Sequence, residues 1–170
     1  MQGYRYNVED ELIQHMRPTL LRLAVAGFVT GIVDGTFSSV LSAVFYQSTV
    51  SRLFQGVASV LLGPDALNGG RPTAALGVLM HFGVAFAWSA VFVLLVMRST
   101  WVQHLLESSG GVVMVAAVYG PLIWMVMSLV LIPLFTHRPP TIGFRWWVQL
   151  IGHFPFVGLP IVACASSIRS

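Results

Sequence analysis

The chain has 170 residues, 56% of them hydrophobic and only 9% charged, with a net charge of +3. Soluble domains carry about 25% charged residues, so this composition excludes an ordinary soluble domain and indicates an integral membrane protein in a lipid bilayer. The small positive charge is scattered over the loops, which argues against nucleic acid as a partner.

The N-terminal segment is mixed in charge and has neither the apolar core nor the cleavage site of a secretory signal peptide. The stretch YRYNVEDELIQHMRP predicts a short surface helix over residues 8–16. Because proline breaks the hydrogen-bond pattern of a helix, we expect this helix to end at Pro18.

Four long apolar segments separate the charged residues of the chain. About 20 mostly apolar residues are enough for a helix to cross the hydrocarbon core, and each of these segments is longer. We therefore predict an all-α fold in one membrane domain, residues 1–170, built as a bundle of four transmembrane helices. The predicted spans lie near residues 20–46, 73–97, 111–135 and 146–168.

With four spans, both termini lie on one surface of the membrane, which we call side A; the opposite surface is side B. Side A carries five arginines and side B carries four, so the positive-inside rule predicts a cytoplasmic side A and N-terminus. All nine basic residues are arginine, which is typical of GC-rich coding. We therefore expect a multi-pass protein of the bacterial inner membrane.

The first span carries two neighbouring rows of residues spaced by four, which stack on one face of a helix. One row is small and the other is polar: Gly27, Gly31, Gly35 and Ser39 beside Thr30, Asp34, Ser38 and Ser42. Small residues let membrane helices approach closely, so we expect this glycine row, and Gly77 in the second span, to pack against other helices. The same row favours a homo-oligomer or association with other membrane subunits.

Asp34 is the one charged residue between Arg22 and Arg52. A charged aspartate at mid-membrane costs about 2.5–3.5 kcal/mol, so such a residue faces the interior of the protein or water and has a partner. Asp34 is then either protonated by desolvation or ionised beside an imidazolium.

The loop after the first span predicts an amphipathic helix near residues 50–62, too short to cross a membrane. Its two faces are an apolar one and a polar one: Val50, Leu53, Phe54, Val57 and Leu61 against Arg52, Gln55 and Ser59. Gly63 and Pro64 form a helix-stop signal. We expect the helix to lie in the interface at side B; a re-entrant segment is the alternative.

The second and fourth spans each contain a histidine at a depth similar to that of Asp34. At about 1.5 Å of rise per residue, His81 and His153 lie roughly 12 Å, and Asp34 roughly 18 Å, from side B. We predict that these three residues form one layer. Supporting polar residues are Thr30 and Ser38, with Gln149 bonded to a neighbouring helix and Tyr119 lying deeper. Trp146 and Trp147, at the start of the fourth span, fit an interfacial aromatic belt.

The chemistry of this layer leaves several ligands open. Two histidines and a carboxylate are suited to a first-row metal ion, and two histidines at one depth are suited to haem. Gly77 and Gly152 would leave room for the macrocycle. The same three side chains are equally suited to passing protons.

Residues 56–92 resemble a stretch of small bacterial inner-membrane proteins of unassigned function. The shared pattern, G-G-x-x-T-A-A-L-G-x-x-x-H-F, opens the second span, and the closing HFPFVGLPIVA extends the likeness over most of the chain. The resemblance implies a bacterial inner-membrane protein with four spans and implies no activity.

The chain contains no G-x-S-x-G, H-E-x-x-H, C-x-x-C or phosphate-loop motif, so the sequence favours a protein that is not an enzyme. We predict a small non-catalytic membrane protein, a subunit or oligomer, whose Asp34/His81/His153 layer binds a cofactor, a metal ion or a proton. The alternatives are a small proton-coupled transporter or channel and a purely structural accessory subunit.

Overall fold

A computed structural model gives the backbone of residues 2–166 and the side chains of residues 16–166, and its regular structure is entirely helical within that part. The α-helices are α1 Gln2–Val40, α2 Val50–Leu62, α3 Gly70–Arg98, α4 Thr100–Leu105, α5 Ser109–Val126, α6 Ile132–Thr136, α7 Phe144–His153 and α8 Leu159–Ser166. π-helical turns follow α1, join α5 to α6, and join α7 to α8, at Leu41–Phe45, Met127–Leu131 and Phe154–Gly158.

Four helical segments are long and apolar enough to cross a membrane: Met16–Phe45, Gly70–Arg98, Ser109–Thr136 and Phe144–Ser166. The prediction of an all-helical chain with four such segments is therefore confirmed. The last two residues of the fourth predicted span, 167–168, lie outside the described residues.

The prediction of a separate N-terminal helix is wrong, because α1 runs without interruption from Gln2 through Pro18 to Val40. A proline inside a helix removes one backbone hydrogen bond and crowds the carbonyl four residues earlier. A long membrane helix tolerates this loss where neighbouring groups satisfy the freed carbonyl, so the proline does not mark a boundary here.

The apolar core lies in the side-A half of the molecule, where the end of α3, α4, α5 and α8 meet. Its buried residues are Phe92, Val93, Val96, Val102, Leu106, Ala116, Tyr119, Ile123, Val157, Ile161, Val162 and Ala165. The phenol of Tyr119 is the polar group of this cluster, and it donates a 2.8 Å hydrogen bond to the carbonyl of Trp88. We call this cluster the side-A core.

The third and fourth spans make backbone-to-backbone contact at Gly120 and Gly158. A methyl group on Gly120 would collide with the carbonyl of His153, and one on Gly158 would collide with the carbonyl of Ala116. Pro155 has no N–H to donate, which interrupts the α-helical pattern just before this contact and accounts for the π turn at Phe154–Gly158.

Helix α2 packs directly on α3, because the backbone of Phe54 occupies the space that a side chain at Gly77 would need. The polar face of α2 is only partly exposed: Arg52 is exposed, but Gln55 is buried and donates to the carbonyl of Gly70 at 3.0 Å. Arg52 donates to the carbonyl of Leu67 at 2.8 Å. Two side chains of the predicted polar face therefore satisfy carbonyls of the segment that follows α2.

The two tryptophans at the start of α7 have different surroundings. Trp147 is exposed, whereas Trp146 is buried and donates to the hydroxyl of Ser128 at 2.9 Å. The aromatic-belt expectation is therefore wrong for Trp146, whose indole N–H finds a partner between helices. It remains a prediction for Trp147.

Candidate functional site

The glycine row of α1 is filled by aromatic side chains of α3 from the same chain. Ring atoms of Phe86 and Phe82 occupy the space above Gly27 and Gly31. One turn further along, a methyl group at Gly35 would lie 3.3 Å from Nε2 of His81. The glycines therefore form a groove that receives ring side chains, and this contact sets the register of α1 against α3.

This register brings His81 to Asp34. Nδ1 of His81 lies 3.9 Å from Oδ2 of Asp34, and both side chains are about five-sixths buried, with 15% and 16% of their surface exposed. On the other edge of the ring, Nε2 lies 3.0 Å from the carbonyl oxygen of Gly31. The sequence analysis placed these two residues in one layer, and they are neighbours.

His153 approaches the same carboxylate from the fourth span. It is buried, and its neighbour Gly152 packs against the ring of Phe37 on α1, three residues from Asp34. Its Nδ1 lies 2.7 Å from the carbonyl of Gln149, and its ring packs 4.9 Å from the ring centre of Trp124. Three helices thus contribute titratable groups to one buried cluster, which we call the Asp34 site.

The hydrogen bonds define which ring nitrogens carry protons. A carbonyl oxygen only accepts hydrogen bonds, so Nε2 of His81 and Nδ1 of His153 must each donate. The other nitrogen of His81, Nδ1, is therefore left to face Asp34. The pair attracts when it holds one proton in total, either on Oδ2 or on Nδ1.

The carboxylate is only partly satisfied. Oδ1 of Asp34 is buried and has no hydrogen-bond partner among the residues that the structure describes, and the 3.9 Å between Oδ2 and Nδ1 exceeds a direct hydrogen bond. One water molecule can bridge such a gap. Oδ1 therefore has room in its hydrogen bonding for one further donor.

A metal ion fits this arrangement poorly. No group of three or more His, Cys, Asp or Glu side chains among the described residues is gathered closely enough to hold one. Haem fits no better, because His81 uses Nε2 on a carbonyl and turns Nδ1 to Asp34. The space expected for a macrocycle is also filled: Gly77 faces the backbone of Phe54, and Gly152 faces the ring of Phe37.

Comparison with known proteins gives no family. No protein-family model, curated protein or solved structure matches this chain. The resemblance of residues 56–92 to small bacterial membrane proteins therefore stays a prediction.

The supporting polar residues lie in different places. Thr30 is almost fully buried one turn from Asp34, and its hydroxyl has no partner. Ser38 is half-buried one turn on the other side. The side-chain oxygen of Gln149 is buried without a partner, so the expected helix-to-helix hydrogen bond to that oxygen is absent. Tyr119 belongs to the side-A core and not to the Asp34 site.

An open groove of about 490 Å³ lies on the outer side of His81, between α1, α2 and α3. Its walls are apolar or small apart from His81, Thr36 and Ser39, and it opens beside exposed apolar residues such as Ile32 and Val44. The groove is therefore an open, mostly apolar surface feature beside His81 and not an enclosed cavity at Asp34.

Sequence reasoning missed two contributors to the surroundings of the site. Phe37 covers Gly152 and stacks on Phe156 at 4.2 Å between ring centres, which closes the contact between α1 and the fourth span. Trp124, expected to be packing only, lies against the ring of His153 and donates to the carbonyl of Trp146. No spacing signal in the sequence joins these aromatic residues to the histidine.

Proposed function

We propose that this protein is a non-catalytic integral membrane protein whose Asp34 site binds and releases a proton within the membrane. The observation that carries the proposal is the pairing of His81 Nδ1 with Asp34 Oδ2 at 3.9 Å, while Nε2 of the same ring is fixed on the Gly31 carbonyl. The hydrogen bond from Nε2 to the Gly31 carbonyl orients the imidazole so that Nδ1 faces the carboxylate.

A proton suits the site better than a larger ligand for two reasons. Both nitrogens of His81 and Nδ1 of His153 already face carbonyls or Asp34, and the neighbouring glycine positions are filled by aromatic rings and backbone. A proton needs no cavity, and it is the one ligand that a carboxylate and an imidazole share across a short gap.

The proposal places the chain in a bacterial inner membrane with side A in the cytoplasm, as the small excess of arginine on that side favours. Association with further copies or other subunits is part of the proposal, but the glycine row no longer supports it. That row contacts α3 of the same chain, so association would use other surfaces.

The test is a titration of the purified protein, followed by the infrared bands of carboxylic acid and carboxylate groups. Asp34→Asn should remove one titrating carboxyl, and His81→Gln should move the titration of that carboxyl to a different pH, because the paired imidazole is gone. Asp65→Asn, in the side-B loop, is the matched control and should leave the Asp34 band in place.

Two results would overturn the proposal. One is an infrared titration in which Asp34→Asn changes no band that responds to pH. The other is a carboxyl assigned to Asp34 that titrates identically with and without the His81 imidazole, since the two groups would then not share a proton.

A further inference from the structure

Five buried side-chain atoms have no hydrogen-bond partner in the described part of the protein. They are the hydroxyls of Thr30, Ser89 and Tyr46, Oδ1 of Asp34 and Oε1 of Gln149. An unpaired polar atom in a protein interior costs about 1–3 kcal/mol, so five of them in one small membrane protein need an explanation.

Thr30 and Ser89 differ from other helical hydroxyls in the same molecule. The hydroxyls of Ser59, Thr73, Thr136 and Ser166 each donate to a carbonyl three or four residues earlier in the chain. This local bond is the usual solution for serine and threonine in membrane helices. Thr30 and Ser89 are only 1% and 0% exposed, and their hydroxyls do not make this local bond. Both hydroxyls therefore remain available to another partner.

The five atoms are ordered along the membrane axis on either side of the Asp34 site. Tyr46, which follows the π turn at the end of α1, lies roughly 18 Å from Asp34 towards side B, and Thr30 of α1 lies roughly 6 Å from it towards side A. Gln149 lies one turn from His153 on the side-B side, because the fourth span runs from side B to side A.

Ser89 extends this order furthest towards side A. Gly27 faces Phe86 and Gly31 faces Phe82, which places Ser89 of α3 at the level of residue 24 of α1. At about 1.5 Å per residue, that level is roughly 9 Å beyond Thr30. Ser89 also follows His81 by two turns on α3, so both side chains lie along one row of that helix.

We infer that these groups line a proton path through the protein, with water molecules between them and Asp34 at its centre. This inference rests on the proposed proton-binding function and extends it from binding to conduction. Each buried oxygen offers a hydrogen bond to water, and buried water is typically held by about three such bonds. Apart from Asp34, the titratable side chains that face the path at its centre are His81 and His153, from α3 and α7.

Proton passage along this path forms one bond for each bond that it breaks. A protonated water molecule on one side of Asp34 gives its extra proton to a carboxylate oxygen and returns to neutral water, so that one O–H bond breaks and another forms. The carboxylic acid then gives a proton to Nδ1 of His81 or to the next water and returns to the carboxylate. At the side-B end, Arg145 lies 4.1 Å from the ring centre of Tyr46 and positions that phenol.

The test is proton flux into vesicles that contain the full chain, an internal pH-sensitive dye and an imposed potential. Asp34→Asn should abolish the flux carried by the protein. Thr30→Val and Ser89→Ala should each reduce it by about tenfold, the change in rate that corresponds to one lost hydrogen bond of about 1.4 kcal/mol. Thr30→Ser keeps the hydroxyl and should restore the flux.

Matched controls separate the path from general damage. Thr36→Val removes an exposed hydroxyl of α1 and Ser51→Ala an exposed hydroxyl of α2, and both should conduct like the wild type. Equal flux in Thr30→Val, Ser89→Ala and the wild type would overturn the path. So would a wild type that conducts no more than protein-free vesicles.

The failure of the path and the failure of the proposed function are distinguishable. If the infrared titration finds the shared proton of Asp34 and His81 but the vesicles show no flux, the protein binds a proton without conducting it. If flux depends on Thr30 and Ser89 but Asp34 and His81 titrate independently, the path exists and the proposed shared site is wrong.

Discussion

The side-A core and the Asp34 site differ in whether their buried polar groups are hydrogen-bonded. In the side-A core the one phenol, Tyr119, finds a carbonyl at 2.8 Å and everything around it is apolar. Around the Asp34 site, buried oxygens of Thr30, Asp34 and Gln149 have no partner in the part of the chain that the structure describes. Two parts of one helical chain thus follow different rules.

The two regions are therefore expected to contribute differently, the side-A core to stability and the Asp34 site to function. Apolar packing and satisfied hydrogen bonds stabilise the fold, whereas buried groups without partners destabilise it and persist where they serve another purpose. We therefore expect substitutions in the side-A core to change the free energy of unfolding, and substitutions at the Asp34 site to change proton binding with little effect on stability.

The largest effect is expected at the backbone contact beside the side-A core. Gly120→Ala should lower the free energy of unfolding by about 3 kcal/mol, because the new methyl group meets the His153 carbonyl and backbone cannot rotate away. Thermal unfolding in mild detergent, followed by circular dichroism, measures this. Gly110→Ala, on the same helix with open space around it, should be neutral or slightly stabilising.

If Gly120→Ala unfolded at the same temperature as Gly110→Ala, the third and fourth spans would not be in backbone contact. The close packing described for the side-A half would then be incorrect at this point.

A smaller effect is expected at the glycine row near the Asp34 site. Gly31→Ala should lower the free energy of unfolding by about 1 kcal/mol, since the obstacle is the ring of Phe82, which is able to shift. The displaced ring should also disturb the neighbouring His81, so the infrared titration of Asp34 should change. Gly83→Ala, with nothing within 4 Å, is the control on α3; identical titrations in the two variants would contradict the contact.

The smallest effect on the free energy of unfolding is expected when a single tyrosine hydroxyl is removed, and two tyrosines allow the comparison. Tyr119→Phe should lower the free energy of unfolding by about 1 kcal/mol, because a hydrogen bond to the Trp88 carbonyl is lost in the side-A core. Tyr46→Phe should change it by less, because its hydroxyl is buried without a partner. Equal losses from the two substitutions would remove the distinction between the two regions, and chemical denaturation in mixed micelles measures both.

Much of the helical architecture could be predicted from the spacing of charges. Long segments between arginines gave spans whose limits differ from the observed ones by a few residues, because desolvating a charge is costly wherever a helix crosses lipid. The helix end predicted at Pro18 is wrong, because the prediction considered only the hydrogen bond that proline removes. A long helix tolerates the loss of one such bond.

The Asp34 site was partly predictable for a similar reason. Helical rise alone placed Asp34 and His81 at neighbouring depths, and Gly35 left space for the imidazole. The helical rise gives the depth of a residue but not the rotation of its helix or the orientation of a ring. The hydrogen bond of His81 to the Gly31 carbonyl could therefore not be predicted. Gln55 illustrates the same limit, because its burial depends on carbonyls in a loop whose path no periodicity describes.

The length of α1 has a mechanical consequence. Its 39 residues make a rod roughly 58 Å long, and the hydrocarbon layer is only about 30 Å thick, so its first part projects beyond the apolar segment that begins at Met16. Pro18 lies at that boundary and is the point of lowest bending stiffness. We therefore expect α1 to bend at Pro18, four turns before Asp34, when its projecting end is displaced.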